Sequence, residues 1–309
     1  MQIHPTIAAM LQKSRDAGVP ALSAGTPAQG RAVMAAMRPI LAEAAAREGG
    51  EPGTAEIVEI PTRSGSIEAI LLRPDGPASG LVVYLHGGGW VIGEAADFEV
   101  LGRSLARETG CAVLLVNYRK APEHPFPAGL EDCEDAVLWA GKHVAAIADG
   151  ASSIVVAGDS AGGNLAAVTA LSLRGAGTLR GQVLIYPVAD CDMNRPSFAA
   201  YGTGLILTPT DMRWFFNHYA PEHLWTDPRI SPLRAADLSR LPRTSVVLAE
   251  CDILHDEGIA FAAALRSAGV DVTLREYPGM THGFIRLHPF VDVAAQALRD
   301  IAGDIRAMI

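Results

Sequence analysis

One stretch constrains this chain more than any other. Residues 153–173 read SIVVAGDSAGGNLAAVTALSL. The first part is a short apolar, β-branched run, the pattern of a buried strand. The last part carries good helix formers with apolar residues at helical spacing. Between them lies the chain's one G-x-S-x-G, Gly158-Asp159-Ser160-Ala161-Gly162. A serine held at a strand-to-helix turn is forced into a strained backbone and thrust outward. The glycines are needed because a side chain at either position would strike the neighbouring strand or helix. The new helix also points its unpaired N–H groups at whatever reacts there.

The remaining chain alternates between the two periods. Strands are expected at 55–60 and 66–72 (joined by a hairpin or tight crossover at 61–65), 81–85, 112–117, 182–186, 245–249 and 272–277. Helices are expected at 5–16, 31–48 (ended by Gly49-Gly50), 97–109, 128–148, 257–267 and about 289–308. Residues 21–30, with two glycines and a proline, read as a loop, as do 118–127 with three prolines and 189–207. Thr208-Pro209-Thr210-Asp211 is a helix-start signature, and opens a helix through Tyr219. Such alternation implies a mostly parallel sheet with helices on both faces. Residues 1–50 and 189–220 do not fit the alternation. They are expected to form a lid over the sheet's carboxyl edge, where ligands bind in such folds. Met34 and Met37 read either as core or as the flexible wall of an apolar pocket.

Composition narrows the function class. A 309-residue chain with 49% hydrophobic and 19% charged residues can bury a sizeable core. A net charge of −9 argues against nucleic acid and against anionic membrane surfaces. No apolar stretch approaches the roughly 20 residues of a membrane span, and the first residues do not read as a secretion signal. Cys111, Cys133, Cys191 and Cys251 fall in no C-x-x-C or zinc-ligand spacing. They read as free thiols in a reducing cytoplasm, with no metal expected.

A serine hydroxyl needs a base to take its proton, and in this fold type the chain order is serine, acid, histidine. Three histidines follow Ser160 in candidate positions: His255, His282 and His288. His282 is favoured, because it follows a strand in a glycine-flanked loop that can reach the carboxyl edge. Glu250, Asp252 and Asp256 all lie near the end of the preceding strand. Asp252 is favoured as the acid that holds the imidazole tautomer. His86-Gly87-Gly88-Gly89-Trp90 follows a buried strand, where glycines let main-chain N–H groups approach a developing oxyanion. Ala161 N–H is their natural partner. Phosphate binding is disfavoured, since no G-x-G-x-x-G or Walker pattern opens a helix there.

Five motifs, in order, carry a resemblance: residues 86–90, the run YRKAPEHPFP at 118–127, GDSAGGN at 158–164, DILHDEG at 252–258, and His282-Gly283-Phe284. Together they resemble the hormone-sensitive lipase family of α/β-hydrolases, in its bacterial esterase branch, from about residue 55 onward. The resemblance implies an α/β-hydrolase fold, with an eight-stranded, mostly parallel sheet flanked by helices. It also implies a helical cap formed by residues 1–50 and the segment 189–220, over a catalytic domain of 51–309. It implies nucleophile Ser160, acid Asp252, base His282, an oxyanion hole from Gly88, Gly89 and Ala161, and no cofactor. His86 is then a support of the glycine loop, with Glu123 and Asp159 as further supports. Many relatives pair through the edge strand, here 272–277, so a homodimer is expected.

The expected activity is that of a cytoplasmic serine carboxylesterase acting on a small-molecule ester with a short- to medium-chain acyl group. Amidase, carbamate hydrolase, lactonase and deacetylase activities share the same triad. A ligand receptor on an inactive scaffold is the reading from another class, and the filled triad positions weigh against it. Met37, Trp90, Leu205, Trp214 and Phe284 are the expected pocket walls.

Overall fold

The continuous apolar runs become the inner strands of one eight-stranded sheet. The computed structural model describes residues 2–47 and 53–309. The strands are β1 (Ala55–Thr62), β2 (Gly65–Leu72), β3 (Leu81–Leu85), β4 (Ala112–Val116), β5 (Ile154–Asp159), β6 (Gly181–Ile185), β7 (Arg243–Cys251) and β8 (Val272–Thr281). Their order is β1-β2-β4-β3-β5-β6-β7-β8. β1 and β2 form an antiparallel hairpin, β2 pairs antiparallel with β4, and every later pairing is parallel. Strands β3 to β6 are buried along their whole length, as strands covered on both faces must be. β1, at the outer edge, exposes most of its residues.

The helices are α1 (Pro5–Asp16), α2 (Pro27–Ala36), α3 (Arg38–Arg47), α4 (Glu99–Thr109), α5 (Ala128–Ile147), α6 (Ala161–Ser172), α7 (Pro196–Tyr201), α8 (Pro209–Tyr219), α9 (His255–Ser267) and α10 (Asp292–Arg306). Leu130, Leu165 and Phe261 of α5, α6 and α9 belong to the core on one face of the sheet. Leu101 and Ile301 of α4 and α10 belong to the core on the other. Residues 161–170 of α6 are buried throughout, because it lies between the sheet and α5.

Some elements differ from expectation. α2 begins at Pro27, inside the expected loop, because Thr26 and Gln29 form a capping box and proline suits the first helical position. The helix expected over 31–48 is two helices broken at Met37. Pro39 supplies no N–H and its ring crowds the carbonyl four residues back. Its expected end at Gly49-Gly50 lies outside the described residues. α7 interrupts the expected 189–207 loop, again with proline at the first helical position. β8 runs through Pro278-Gly279 to Thr281, with a register shift opposite Ala249 to Cys251. That irregularity carries the chain directly to His282.

The N-terminal helices and α8 meet above the carboxyl edge. Asp211 Oδ1 accepts from Ser23 N–H at 2.9 Å. Arg31 of α2 donates to the carbonyls of Val91 and Ala121, each at 3.0 Å. It also forms a forked pair with Glu123 at 2.9 and 2.6 Å.

Candidate active site

Ser160 occupies the turn between β5 and α6 with φ 55° and ψ −121°. That conformation is costly for any residue with a Cβ and persists only where the surroundings hold it. Here its N–H donates to Ile185 O at 2.8 Å, and its carbonyl accepts from Asn164 and Val188 N–H. A Cβ on Gly158 would stand 2.3 Å from Gly162 O, and one on Gly162 would stand 1.9 Å from Leu85 O. The pentapeptide glycines therefore let α6 start directly against β3 and β5.

Three distant segments converge on this turn. Ser160 Oγ–H donates to His282 Nε2 at 2.8 Å, across 122 residues. His282 Nδ1–H donates to Asp252 Oδ2 at 2.7 Å. Asp252 is 2% exposed, and its other oxygen accepts from Leu254 N–H at 3.0 Å. The tautomer follows from this network, since a carboxylate can only accept. The rival residues have other partners. Glu250 accepts from Gly279 N–H, and Asp256 accepts from Ser197 N–H. His255 bonds Glu276, and His288 bonds Ser104 on the far side of the sheet.

Beside the serine runs the glycine loop. Gly88 and Gly89 have φ of 121° and 59°, values that favour glycine. A Cβ on Gly88 would collide with Ile92 O, and one on Gly89 with the Phe215 ring. Among the described residues, no group accepts from the backbone N–H of Gly88, Gly89 or Ala161. Ala161 is the first residue of α6, so no helical carbonyl lies behind its N–H.

Two buried polar residues hold that loop. Asp159 Oδ1 accepts from Tyr84 Oη–H and Gly87 N–H, each at 2.9 Å, and burial pushes its carboxyl above the usual range. The His86 imidazole stacks on Tyr118 and Phe98, with ring centres 4.4 and 5.4 Å away. Burial pulls it down to about 3, so it is neutral, and its Nδ1–H donates to Gly87 O at 2.8 Å.

Ser160 and His282 open into a cavity of about 130 Å³. Its apolar walls include Leu22 and Met34 from the N-terminal segment, and Ile206, Met212 and Phe215 from the segment around α8. The expected walls Met37, Trp90, Leu205, Trp214 and Phe284 do not line it. Met37 sits at the break between α2 and α3, and Met34, one turn earlier, faces the cavity instead. Trp90 is 1% exposed and stacks on Tyr219 at 4.4 Å, behind the glycine loop. Leu205 yields to its neighbours Ile206 and Leu207. Trp214 lies about 100° around α8 from Phe215 and packs its ring, tilted, against His218 instead. Phe284 is fully buried among Tyr186 and Tyr277. One wall residue, Arg286, has no counterpart among the expected site residues. Its sequence signal is a lone cation in the otherwise uncharged run from Pro278 to Phe290.

A serine, an imidazole and a carboxylate in hydrogen-bonded line, at the carboxyl edge of a parallel sheet, define the architecture of an α/β-hydrolase. Residues 82–286 match the family described as having the alpha/beta hydrolase fold. The chain belongs to this family, in its group of hormone-sensitive-lipase-like carboxylesterases. It is 38% identical to an ethyl acetate hydrolase of Pseudomonas putida, over 80% of this chain and 81% of that one. It is 36% identical to the carboxylic ester hydrolase LipN of Mycobacterium tuberculosis, over 99% of this chain and 83% of that one. The solved structure of a Pyrobaculum calidifontis esterase superposes with a TM-score of 0.91, at 35% identity, covering 99% of both chains.

Proposed function

We propose that the protein is a serine carboxylesterase that hydrolyses short- to medium-chain acyl esters through an acyl-enzyme. Ser160 is the nucleophile, His282 the base and Asp252 the residue that orients it. The single observation behind this reading is the unbroken line from Asp252 through His282 to Ser160, with bonds of 2.7 and 2.8 Å. As Ser160 Oγ attacks the ester carbonyl, His282 Nε2 takes its proton. The N–H groups of Gly88, Gly89 and Ala161 stabilise the oxyanion, where one lost donor costs roughly 10²–10³ in rate. His282 then returns the proton to the leaving alcohol, and water repeats the sequence on the acyl group. The reaction needs no cofactor. Among the described residues, no cluster of His, Cys, Asp and Glu is arranged to hold a metal.

The small apolar cavity favours a short acyl group over a long one, since it falls well below the roughly 300–1,000 Å³ of pockets for larger ligands. Residues 1–50 and 189–220 act as its cap, over a catalytic domain of 51–309. A soluble, cytoplasmic enzyme fits four cysteines that form no disulfide, with partners limited to the substrate and a second copy. No helix among the described residues is long and apolar enough to cross a membrane. A second copy would pair along β8, whose outer edge meets no other strand among the described residues.

The test is turnover of p-nitrophenyl butyrate beside its amide analogue, together with labelling by a fluorophosphonate probe. Wild type should label and prefer the ester. Ser160→Ala should abolish labelling and lower kcat by about 10⁴ or more. Retained turnover in that variant sinks the assignment.

A further inference from the structure

Arg286 is a cation on the wall of a largely apolar cavity whose one lining carboxylate among the described residues, Asp159, makes no ion pair with it. It lies four residues after His282, in the 3-10 turn Phe284–Leu287, and lines the same cavity as Ser160. Its guanidinium carbon stands 4.7 Å from the centre of the Phe98 ring. Nη1 donates to Met34 Sδ at 3.2 Å, a weak acceptor, and Nη2 donates to Asp97 O at 3.1 Å. Nε is buried and has no partner. A guanidinium carries five N–H donors, so three remain unmatched. Among the described residues none forms an ion pair with Arg286. The Asp97 carboxylate is held by Arg38 Nε at 2.5 Å and accepts from Glu94 N–H. Asp97 does not line the cavity; Asp159 does, and it feels the charge of Arg286 but accepts its hydrogen bonds from Tyr84 and Gly87.

Guanidinium donors left without acceptors are unfavourable, and a carboxylate offers the guanidinium fork two oxygens at once. We propose that Arg286 is a specificity residue that anchors a carboxylate borne by the substrate, so that the preferred ester is anionic at one end and apolar around the scissile bond. This rests on the carboxylesterase reading for the ester, though not for the anion. The chain's net charge of −9 offers no long-range attraction to an anion, so the preference must arise at contact.

The test uses Ser160→Ala protein, so that binding is measured without hydrolysis. Isothermal titration compares monoethyl glutarate with ethyl pentanoate, which places the carboxylate on the acyl side. It also compares 3-acetoxypropanoate with propyl acetate, which places it on the alcohol side. In at least one pair the acid should bind about tenfold or more tightly than its neutral counterpart. Adding Arg286→Met, which keeps the stem over Phe98, should remove that advantage and leave the neutral ester within about threefold. Arg286→Lys should keep part of it, because the charge remains and the fork is lost. Equal binding of acid and neutral ester in both pairs overturns the proposal. So does an equal loss for both in the Met variant, which would mark Arg286 as structural only. Failure of the esterase reading would show separately, as an unmodified Ser160 in the probe experiment.

Discussion

Individual side chains here divide into those that react and those that stay neutral so that others can be placed. Glu257 is of the second kind. It is 0% exposed, its Oε1 accepts from Ala189 N–H at 2.7 Å, and burial pushes its carboxyl well above the usual range. It thereby ties α9 to the loop after β6. The folded protein holds a proton that the unfolded chain releases. Stability from this group is therefore full below about pH 4.5 and is lost as pH rises through the folded value. Glu257→Gln imitates the protonated acid at every pH. Urea unfolding should show the variant gaining on wild type between about pH 5 and about pH 8. A stability difference that stays constant over that range would show the group to be ionised in the fold.

Among elements, α8 links the N-terminal segment to the cavity. Thr208 accepts from Asp211 N–H, and Asp211 accepts from Thr208 N–H, closing a capping box at its start. The other Asp211 oxygen accepts from Ser23 N–H, so one cap orients both α8 and the N-terminal segment. α8 in turn carries Met212 and Phe215 into the cavity. Thr208→Ala should cost about 1 kcal/mol of stability. It should also raise KM for a short ester more than it lowers kcat, because it loosens a wall and leaves the triad alone. A variant in which kcat falls and KM holds would separate α8 from substrate binding. Element identity was legible wherever the signal was local. The alternating and continuous apolar runs, and the Thr-Pro-Thr-Asp start of α8, appear where the pattern places them. The break at Met37 was missed although Pro39 was in plain view, because alanines on both sides favour helix and hide a local steric effect.

At the scale of the whole molecule, strand order does the assembling. β5, β7 and β8 end on the same edge of the sheet, and that is what brings Ser160, Asp252 and His282 together. A buried histidine between α4 and α10 also makes the fold sensitive to acid. His288 joins α4 to the segment before α10, with Nε2 accepting from Ser104 Oγ–H at 3.0 Å, and burial pulls its imidazole down to about 4. The unfolded chain takes that proton first. The contribution of this one group is thus full above about pH 6.5 and falls toward pH 4 by about 1.4 kcal/mol per unit. His288→Asn should flatten the urea-unfolding profile by that slope. An unchanged slope would place the acid sensitivity elsewhere. Light scattering after size exclusion should give twice the 32.5 kDa chain mass if β8 pairs with a second copy. Replacing outward-facing residues of β8 with lysine should return the monomer, and a monomeric wild type removes that interface.

What the chain determined on its own was everything that follows from neighbours along it. The buried strands, the serine turn and the glycine loop all depend on steric and hydrogen-bonding rules that act over a few residues. The candidates for acid and histidine could be narrowed for the same reason, since each lies at the end of a recognisable strand, while their order is that of the fold type. The cavity walls were decided only by the tertiary structure. Met34 lines the cavity where Met37 was expected, Gly89 where Trp90 was, Phe215 where Trp214 was and Gly283 where Phe284 was. Each displacement is three residues or fewer. On a helix one position turns the side chain by about 100°, and in a loop no fixed period sets its direction at all. Which side faces inward is set by how distant elements dock, and the unmatched donors of Arg286 become visible only after they have.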